Sequence, residues 1–198
     1  FDTIYHEHLS YHSVEPIRNF FFKQGLEMID AYRVDTHGGS LRGVCQLAGG
    51  KHPVKGSVDK LITREREIGL NKAGTYQKFF DNIGEIKKEL KNLLSRLKSE
   101  GKTLAGYGAP AKATTLMYHF EIGPDIIDYI VDDSPLKQGH YSPGMHIPIV
   151  STLEIKKKTT DYLLLLAWNF AESIMSNNHW FRNKGGRFIV PLPRVKIY

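Results

Sequence analysis

Cysteine is almost absent: Cys45 is the single thiol in 198 residues. One cysteine makes neither an internal disulfide nor a Cys-rich zinc site, so the chain is expected to fold by burial alone, in a reducing compartment read here as the cytoplasm. Long apolar runs are missing too. The longest, residues 162–168 (YLLLLAW), is strand-sized against the roughly 20 residues that span a bilayer, so no membrane partner is expected. No low-complexity tract, internal repeat or long block of one charge occurs. Lys and Arg number 27 against 21 Asp and Glu, but they alternate with acids in the helical stretches. A small anionic ligand accounts for that excess, and no nucleic-acid partner is expected. Neither an initiator methionine nor a signal-peptide pattern opens the chain, which therefore reads as a piece of something longer.

What is present is ordinary globular composition, 41% hydrophobic and 24% charged, enough for one large or two small domains. Three zones separate by pattern. In the first, Ser13 and Glu15-Pro16 precede the apolar Ile17, Phe20 and Phe21, and Gly25 follows. That order predicts a helix capped near Ser13 and stopped at Gly25. Strands are predicted at 26–35 and 41–47, with a turn at 36–40 between them. The second zone begins with a Gly, Lys, His and Pro loop at 49–57. It continues as a long helix in which Tyr76, Phe79, Ile83, Ile86, Leu90, Leu93 and Leu97 step by threes and fours along one apolar stripe. Gly101 ends it.

The third zone alternates strand and helix. Strands are predicted at 103–106, 126–131, 146–150, 162–168 and 187–192, with helices at 110–120 and 171–183. The run 162–168 is apolar on both faces, as a central parallel strand covered by helices must be. Such alternation predicts an α/β fold, a Rossmann-like doubly wound parallel sheet.

Chemistry concentrates in four places. Near the start, Tyr5-His6-Glu7-His8 with Tyr11 and His12 packs three imidazoles, two phenols and a carboxylate into a few residues ahead of a helix. A positioned imidazole removes and returns protons near neutral pH, and a carboxylate beside it fixes its tautomer. Metal binding by His6, His8 and His12 is an alternative, but Ser10 breaks the His-Glu-x-x-His spacing, and no metal is expected. A solvated polar loop is the other alternative.

Between a strand and a helix, Gly106-Tyr107-Gly108-Ala109-Pro110-Ala111-Lys112 fits G-x-G-x-x-A. Glycines admit a phosphate close to the backbone, the helix start offers amide hydrogens, and Lys112 adds a full charge. Asp132 and Asp133 end the next strand, where a ribose-binding carboxylate would sit. A tight turn that binds nothing fits the same residues. His37-Gly38-Gly39-Ser40-Leu41-Arg42 reads as a hairpin or as an anion clamp built on Arg42. The Pro/Gly loop 139–148 follows a strand's carboxyl end, where ligand crevices form.

The opening Phe1-Asp2-Thr3-Ile4-Tyr5-His6-Glu7-His8-Leu9-Ser10-Tyr11 resembles the signature of the sugar C-methyltransferases that act on nucleotide-linked keto-deoxysugars. The segments 37–42, 106–112, 132–139 and 143–148 follow in that family's order, so the resemblance spans nearly the whole chain. It implies a three-part protein: a zinc-binding N-terminal domain, an S-adenosylmethionine-binding methyltransferase domain and a Rossmann-like C-terminal domain that helps hold a nucleotide diphosphate sugar.

By that resemblance, residues 1–48 are the end of the methyltransferase domain with its catalytic motif, 49–101 a linking helical segment, and 102–198 the nucleotide-sugar domain. The cofactor S-adenosylmethionine would be bound mainly outside these 198 residues, leaving the fragment inactive alone. The catalytic residues carried over are Tyr5, Glu7 and His8: His8 as base, Tyr5 as proton carrier or oxyanion donor, Glu7 as orienting acid. Substrate-binding residues carried over or read from the motifs are His37, Gly38, Gly39, Ser40 and Arg42, then Gly106, Gly108, Ala109, Pro110 and Lys112, then Asp132 and Asp133. The alternative is a Rossmann-like module that binds a nucleotide or NAD and does no chemistry.

Overall fold

The structure is a computed structural model that describes residues 3–36, 39–158 and 160–198. His37 and Gly38, two of the expected substrate-binding residues, lie outside the described residues. The described residues divide into two compact units, one within 6–81 and the other within 82–198 together with 3–5.

The first unit holds α1 (Val14–Lys23), β1 (Leu26–Val34), β2 (Ser40–Leu47) and α2 (Ser57–Glu67). β1 and β2 form an antiparallel hairpin with a bulge between Met28 and Asp30. Its core is small: Val14, Met28, Ala31, Val58 and Ile62. The expected cap at Ser13 is replaced. Ser13 makes no side-chain capping bond, and the Glu65 carboxylate of α2 instead accepts the backbone N–H of Val14 at 2.6 Å and Glu15 at 3.1 Å. A carboxylate at a helix N-terminus accepts from the free amides and complements the helix dipole. Asp30 is held below its usual carboxylate range by hydrogen bonds from Lys55 and Ser57, which tie the loop after β2 back to β1.

The helical zone is two helices, α2 and then α3 (Ala73–Ser99), separated around Gly69, whose φ of +74° places it in left-handed backbone that glycine adopts without steric cost. Of the expected stripe on α3, Ile83, Ile86, Leu90 and Leu97 are buried, together with Leu94, whereas Tyr76 and Phe79 are half exposed. The stripe is therefore core only where α3 belongs to the second unit. Gly101 closes the helix as a Schellman cap: Lys102 N–H donates to the Leu97 carbonyl at 3.0 Å and Gly101 N–H to that of Lys98 at 2.9 Å.

The second unit is an α/β, Rossmann-like fold. Its strands are β3 (Leu104–Tyr107), β4 (Ile130–Val131), β5 (Ile149–Val150), β6 (Tyr162–Leu165), β7 (Arg187–Val190) and β8 (Lys196–Ile197). They lie in the order β5-β4-β3-β6-β7-β8, the 3-2-1-4-5-6 arrangement of doubly wound nucleotide-binding sheets when counted within the sheet. β3 to β7 pair in parallel and β8 is antiparallel to β7, an edge strand that the alternating pattern did not predict.

Helices α4 (Ala111–Phe120), α5 (Glu154–Lys157), α6 (Ala171–Asn177) and α7 (His179–Asn183) complete it. α4 ends at Phe120, within a residue of the expected bounds, and is capped by Glu121 in left-handed backbone with φ 57°. The single helix expected at 171–183 is interrupted at Asn178, whose buried side chain bonds the Ile174 carbonyl and the Tyr107 hydroxyl. β6 is central, with Leu163, Leu164 and Leu165 fully buried. Among the described residues no helix is long and apolar enough to cross a membrane.

Candidate functional site

In a doubly wound sheet, ligands bind beyond the carboxyl ends of the strands where the winding reverses. Here that point lies between β3 and β6. The chain leaves β3 through Gly108, Ala109 and Pro110 into α4, and leaves β6 through Leu166 and Ala167 into a 3-10 turn at Trp168–Phe170. Leu166 and Ala167 N–H both donate to the Tyr107 carbonyl, at 2.9 and 3.2 Å.

Both motif glycines are explained by packing. A Cβ on Gly106 would fall 2.8 Å from Leu166 Cδ1, and one on Gly108 would fall 2.7 Å from the Ala167 Cβ. Gly108 also has φ +86°. The turn is held from below by Asp132, only 8% exposed. Its carboxylate accepts Ala109 N–H at 2.7 Å, Ser134 N–H at 2.9 Å and Lys137 Nζ at 3.2 Å. Burial pushes this carboxyl up, but the Ala109 and Ser134 amides and the Lys137 ammonium outweigh it, leaving its pKa below the ordinary value. Asp132 thus engages one of the amides that a phosphate-binding turn would present. Asp133, beside it, is exposed.

Pro110 precedes α4 in extended backbone, φ −73° and ψ 161°, as a residue entering a helix should. Lys112, in the first turn, is buried to 8% exposure, with its ammonium 4.2 Å from the centre of the Trp168 ring. Trp168 is a residue that sequence reasoning placed in the strand and did not assign to the site. Its Nε1–H is buried with no acceptor among the described residues. The available signal was length: a run of seven apolar residues overshoots a four-residue strand, and its tail reaches the reversal point. Tyr107, in β3, has its hydroxyl raised by burial and bonded by Asn178 Nδ2 at 3.2 Å.

The opening motif divides between the units. Tyr5, half-buried, groups with the sheet unit, and His6, Glu7 and His8, all exposed, group with the hairpin unit. Tyr5 N–H turns back to the Thr3 carbonyl at 3.1 Å, and the Ile4 carbonyl accepts the Thr115 hydroxyl of α4 at 2.6 Å. Glu7 approaches His6, 3.9 Å away with both side chains well exposed, a solvated pair of little energetic weight. No group of three His, Cys, Asp or Glu positioned for a metal ion occurs among the described residues.

In the hairpin, Gly39 has φ +117° and a Cβ there would fall 2.9 Å from Arg33 Nη2, so the Arg33 side chain lies across this turn. The Ser40 hydroxyl donates to the Thr36 carbonyl at 3.0 Å. Arg42 is exposed, opposite Tyr32 in register and 5.9 Å from its ring centre. The loop 139–148 is tied by its own backbone, with Ser142 N–H to the Ile147 carbonyl at 2.8 Å and Gly144 beneath the Tyr118 ring of α4. Two shallow cavities, of about 300 and 260 Å³, lie elsewhere. One is beside α1 and β1, the other beside α5 and α7, and neither is lined by an expected site residue.

The sheet unit thus carries, at its winding reversal, a glycine turn braced by the buried Asp132 and a buried lysine set against an aromatic ring. The family model for the C-methyltransferase C-terminal domain matches residues 35–193, and the chain belongs to that family. It is 38% identical over 197 residues to C-methyltransferase NovU of Streptomyces niveus, covering all of this chain and 47% of that protein. The chain therefore spans about half the length of this curated relative.

Proposed function

We propose that the chain is the carboxy-terminal half of an S-adenosylmethionine-dependent enzyme that methylates the carbon beside the keto group of a nucleotide-linked deoxysugar. The observation that carries this reading is the Tyr5-His6-Glu7-His8 segment in a chain of C-methyltransferase ancestry. Methylation at carbon requires a carbanion, and a hydrogen next to a ketone is acidic enough for a histidine to remove when the resulting enolate oxygen is stabilised. His8 is assigned as the base. Tyr5 is assigned as the phenol that carries the proton or donates to the enolate, and Glu7 as the carboxylate beside them.

The turn at Gly108–Lys112 is assigned to the diphosphate, with Lys112 supplying positive charge and Asp133 facing solvent where a sugar hydroxyl would lie. Gly106 and Asp132 are assigned to shaping this turn rather than to touching the ligand. Gly39, Ser40 and Arg42, with His37 and Gly38, form a second polar segment assigned to the sugar nucleotide. The methyl donor supplies an electrophilic sulfonium methyl. Its site is assigned, as the family resemblance implies, mainly to residues outside this chain.

The second reading, an NAD-binding module without chemistry, draws on the strand order and leaves the Tyr-His-Glu-His segment unexplained. Substitution separates the two. His8→Ala and Tyr5→Phe in the full-length protein are expected to abolish methyl transfer while the unfolding midpoint stays within about 2 °C of wild type, since these side chains are not core. Full activity in both variants would overturn the proposal, and calorimetric binding of NAD in preference to a thymidine diphosphate sugar would favour the second reading.

A further inference from the structure

We infer that Thr115 is a positioning residue for Tyr5, so that helix α4 serves both as the start of the ligand turn and as the brace of the acid–base motif. The inference rests on the proposed role of Tyr5 and extends it to a residue that no motif contains.

α4 is a rigid element. Ala113, Leu116, Met117 and Phe120 are each 2% exposed or less, and the Lys112 ammonium sits over Trp168 at the other end of the same face. A helix with that much of its surface in the core cannot shift without opening the core, so a side chain on its outer face is a fixed reference point. Thr115 is that side chain. Its hydroxyl donates to the Ile4 carbonyl at 2.6 Å, across 111 residues of sequence. Ile4 immediately precedes Tyr5, whose own N–H folds back to the Thr3 carbonyl at 3.1 Å. The hydrogen bond therefore pins the peptide that carries the Tyr5 Cα.

The same helix begins at the Gly108–Pro110 turn, so Tyr5 and the ligand turn are referred to one rigid body. Misplacing a reacting group by about 1 Å is enough to slow catalysis severely, and a local tether of one peptide is a direct way to prevent it. Threonine is otherwise a poor choice for a helix interior, which its hydroxyl's role here explains.

The test uses two measurements. In this chain, Thr115→Val is expected to speed hydrogen exchange at the Tyr5 amide several-fold, as loss of one hydrogen bond implies, and Thr115→Ser to leave it as in wild type. In the full-length protein, Thr115→Val is expected to lower kcat about tenfold with KM for the nucleotide sugar held within about twofold, and Thr115→Ser to restore it. Wild-type exchange and kcat in Thr115→Val, or a loss that Thr115→Ser does not restore, would overturn the inference. Tyr5→Phe is run alongside. An inactive Tyr5→Phe with an unaffected Thr115→Val defeats the brace alone, whereas a fully active Tyr5→Phe defeats the catalytic assignment beneath it.

Discussion

Replacing Asp132 by alanine removes the acceptor for three donors at once: Ala109 N–H, Ser134 N–H and the Lys137 ammonium. The carboxylate side chain is 10% exposed, so water does not readily take its place. A hydrogen bond to a charged acceptor contributes about 1.5 to 3 kcal/mol, and a buried amide left without a partner costs a comparable amount. Counting the two backbone bonds and discounting the half-solvated lysine, the loss is about 3 kcal/mol. Both tryptophans, Trp168 and Trp180, lie in the sheet unit, so their fluorescence during urea unfolding reports that unit specifically. With a urea dependence of about 1.5 kcal/mol/M, reasonable for a unit of this size, the midpoint falls by about 2 M. Asp132→Asn, which keeps one acceptor oxygen, falls by an intermediate amount. A midpoint for Asp132→Ala within about 0.5 M of wild type would refute the idea that this acid builds the turn, and would return it to the role of a ligand-facing carboxylate.

The partition of α3 gives a second test: Leu94→Ala, at a fully buried position, is expected to cost about 2 to 5 kcal/mol, while Phe79→Ala, half exposed, costs less than about 1 kcal/mol. Chemical denaturation of both variants decides this, and equal losses would contradict the observed burial. A third concerns acid. The ammonium groups of Lys87 and Lys91 hold Glu121 down to about 2 from an ordinary 4.5, and hydrogen bonds from Thr103 hold Asp161 below its ordinary value. Groups with depressed native pKa values stabilise the fold above their unfolded values and lose that contribution as pH falls through the native ones. Thermal midpoints are therefore expected to drop between about pH 4.5 and pH 2. Because Glu121 is exposed, Glu121→Gln at 0.5 M salt should behave almost as wild type does at that salt. A midpoint that rises on acidification would contradict the assignment.

Legibility in the sequence followed the range of the interactions. Local signals were readable: Gly25 and Gly101 as helix stops, the stepping apolar residues of α3, the strand–glycine–helix passage at 104–111, and the two-faced apolar character of β6. What went unread depends on partners far along the chain. Glu65 caps α1 from 50 residues away, and Thr115 meets Ile4 across 111. β4 and β5 are two residues each because parallel pairing with β3 and with each other ends there, although their flanking isoleucines continue the apolar pattern. Asp132 was legible as an acid at a strand end. Its inward direction was not, because the same residue type in the same place serves a ribose in one fold and a backbone turn in another. Trp168 was hidden by the apolar run that precedes it.

The central claim is that His8, with Tyr5, takes a proton from a sugar carbon, and isotope exchange reads that step without requiring methyl transfer. The full-length protein is incubated in deuterated water with a thymidine diphosphate-linked keto-deoxysugar, and the hydrogen on the carbon beside the ketone is followed by NMR. The account predicts that wild type replaces it with deuterium and that His8→Ala slows the exchange at least a hundredfold, the scale of a lost general base. Exchange in His8→Ala at the wild-type rate would contradict it.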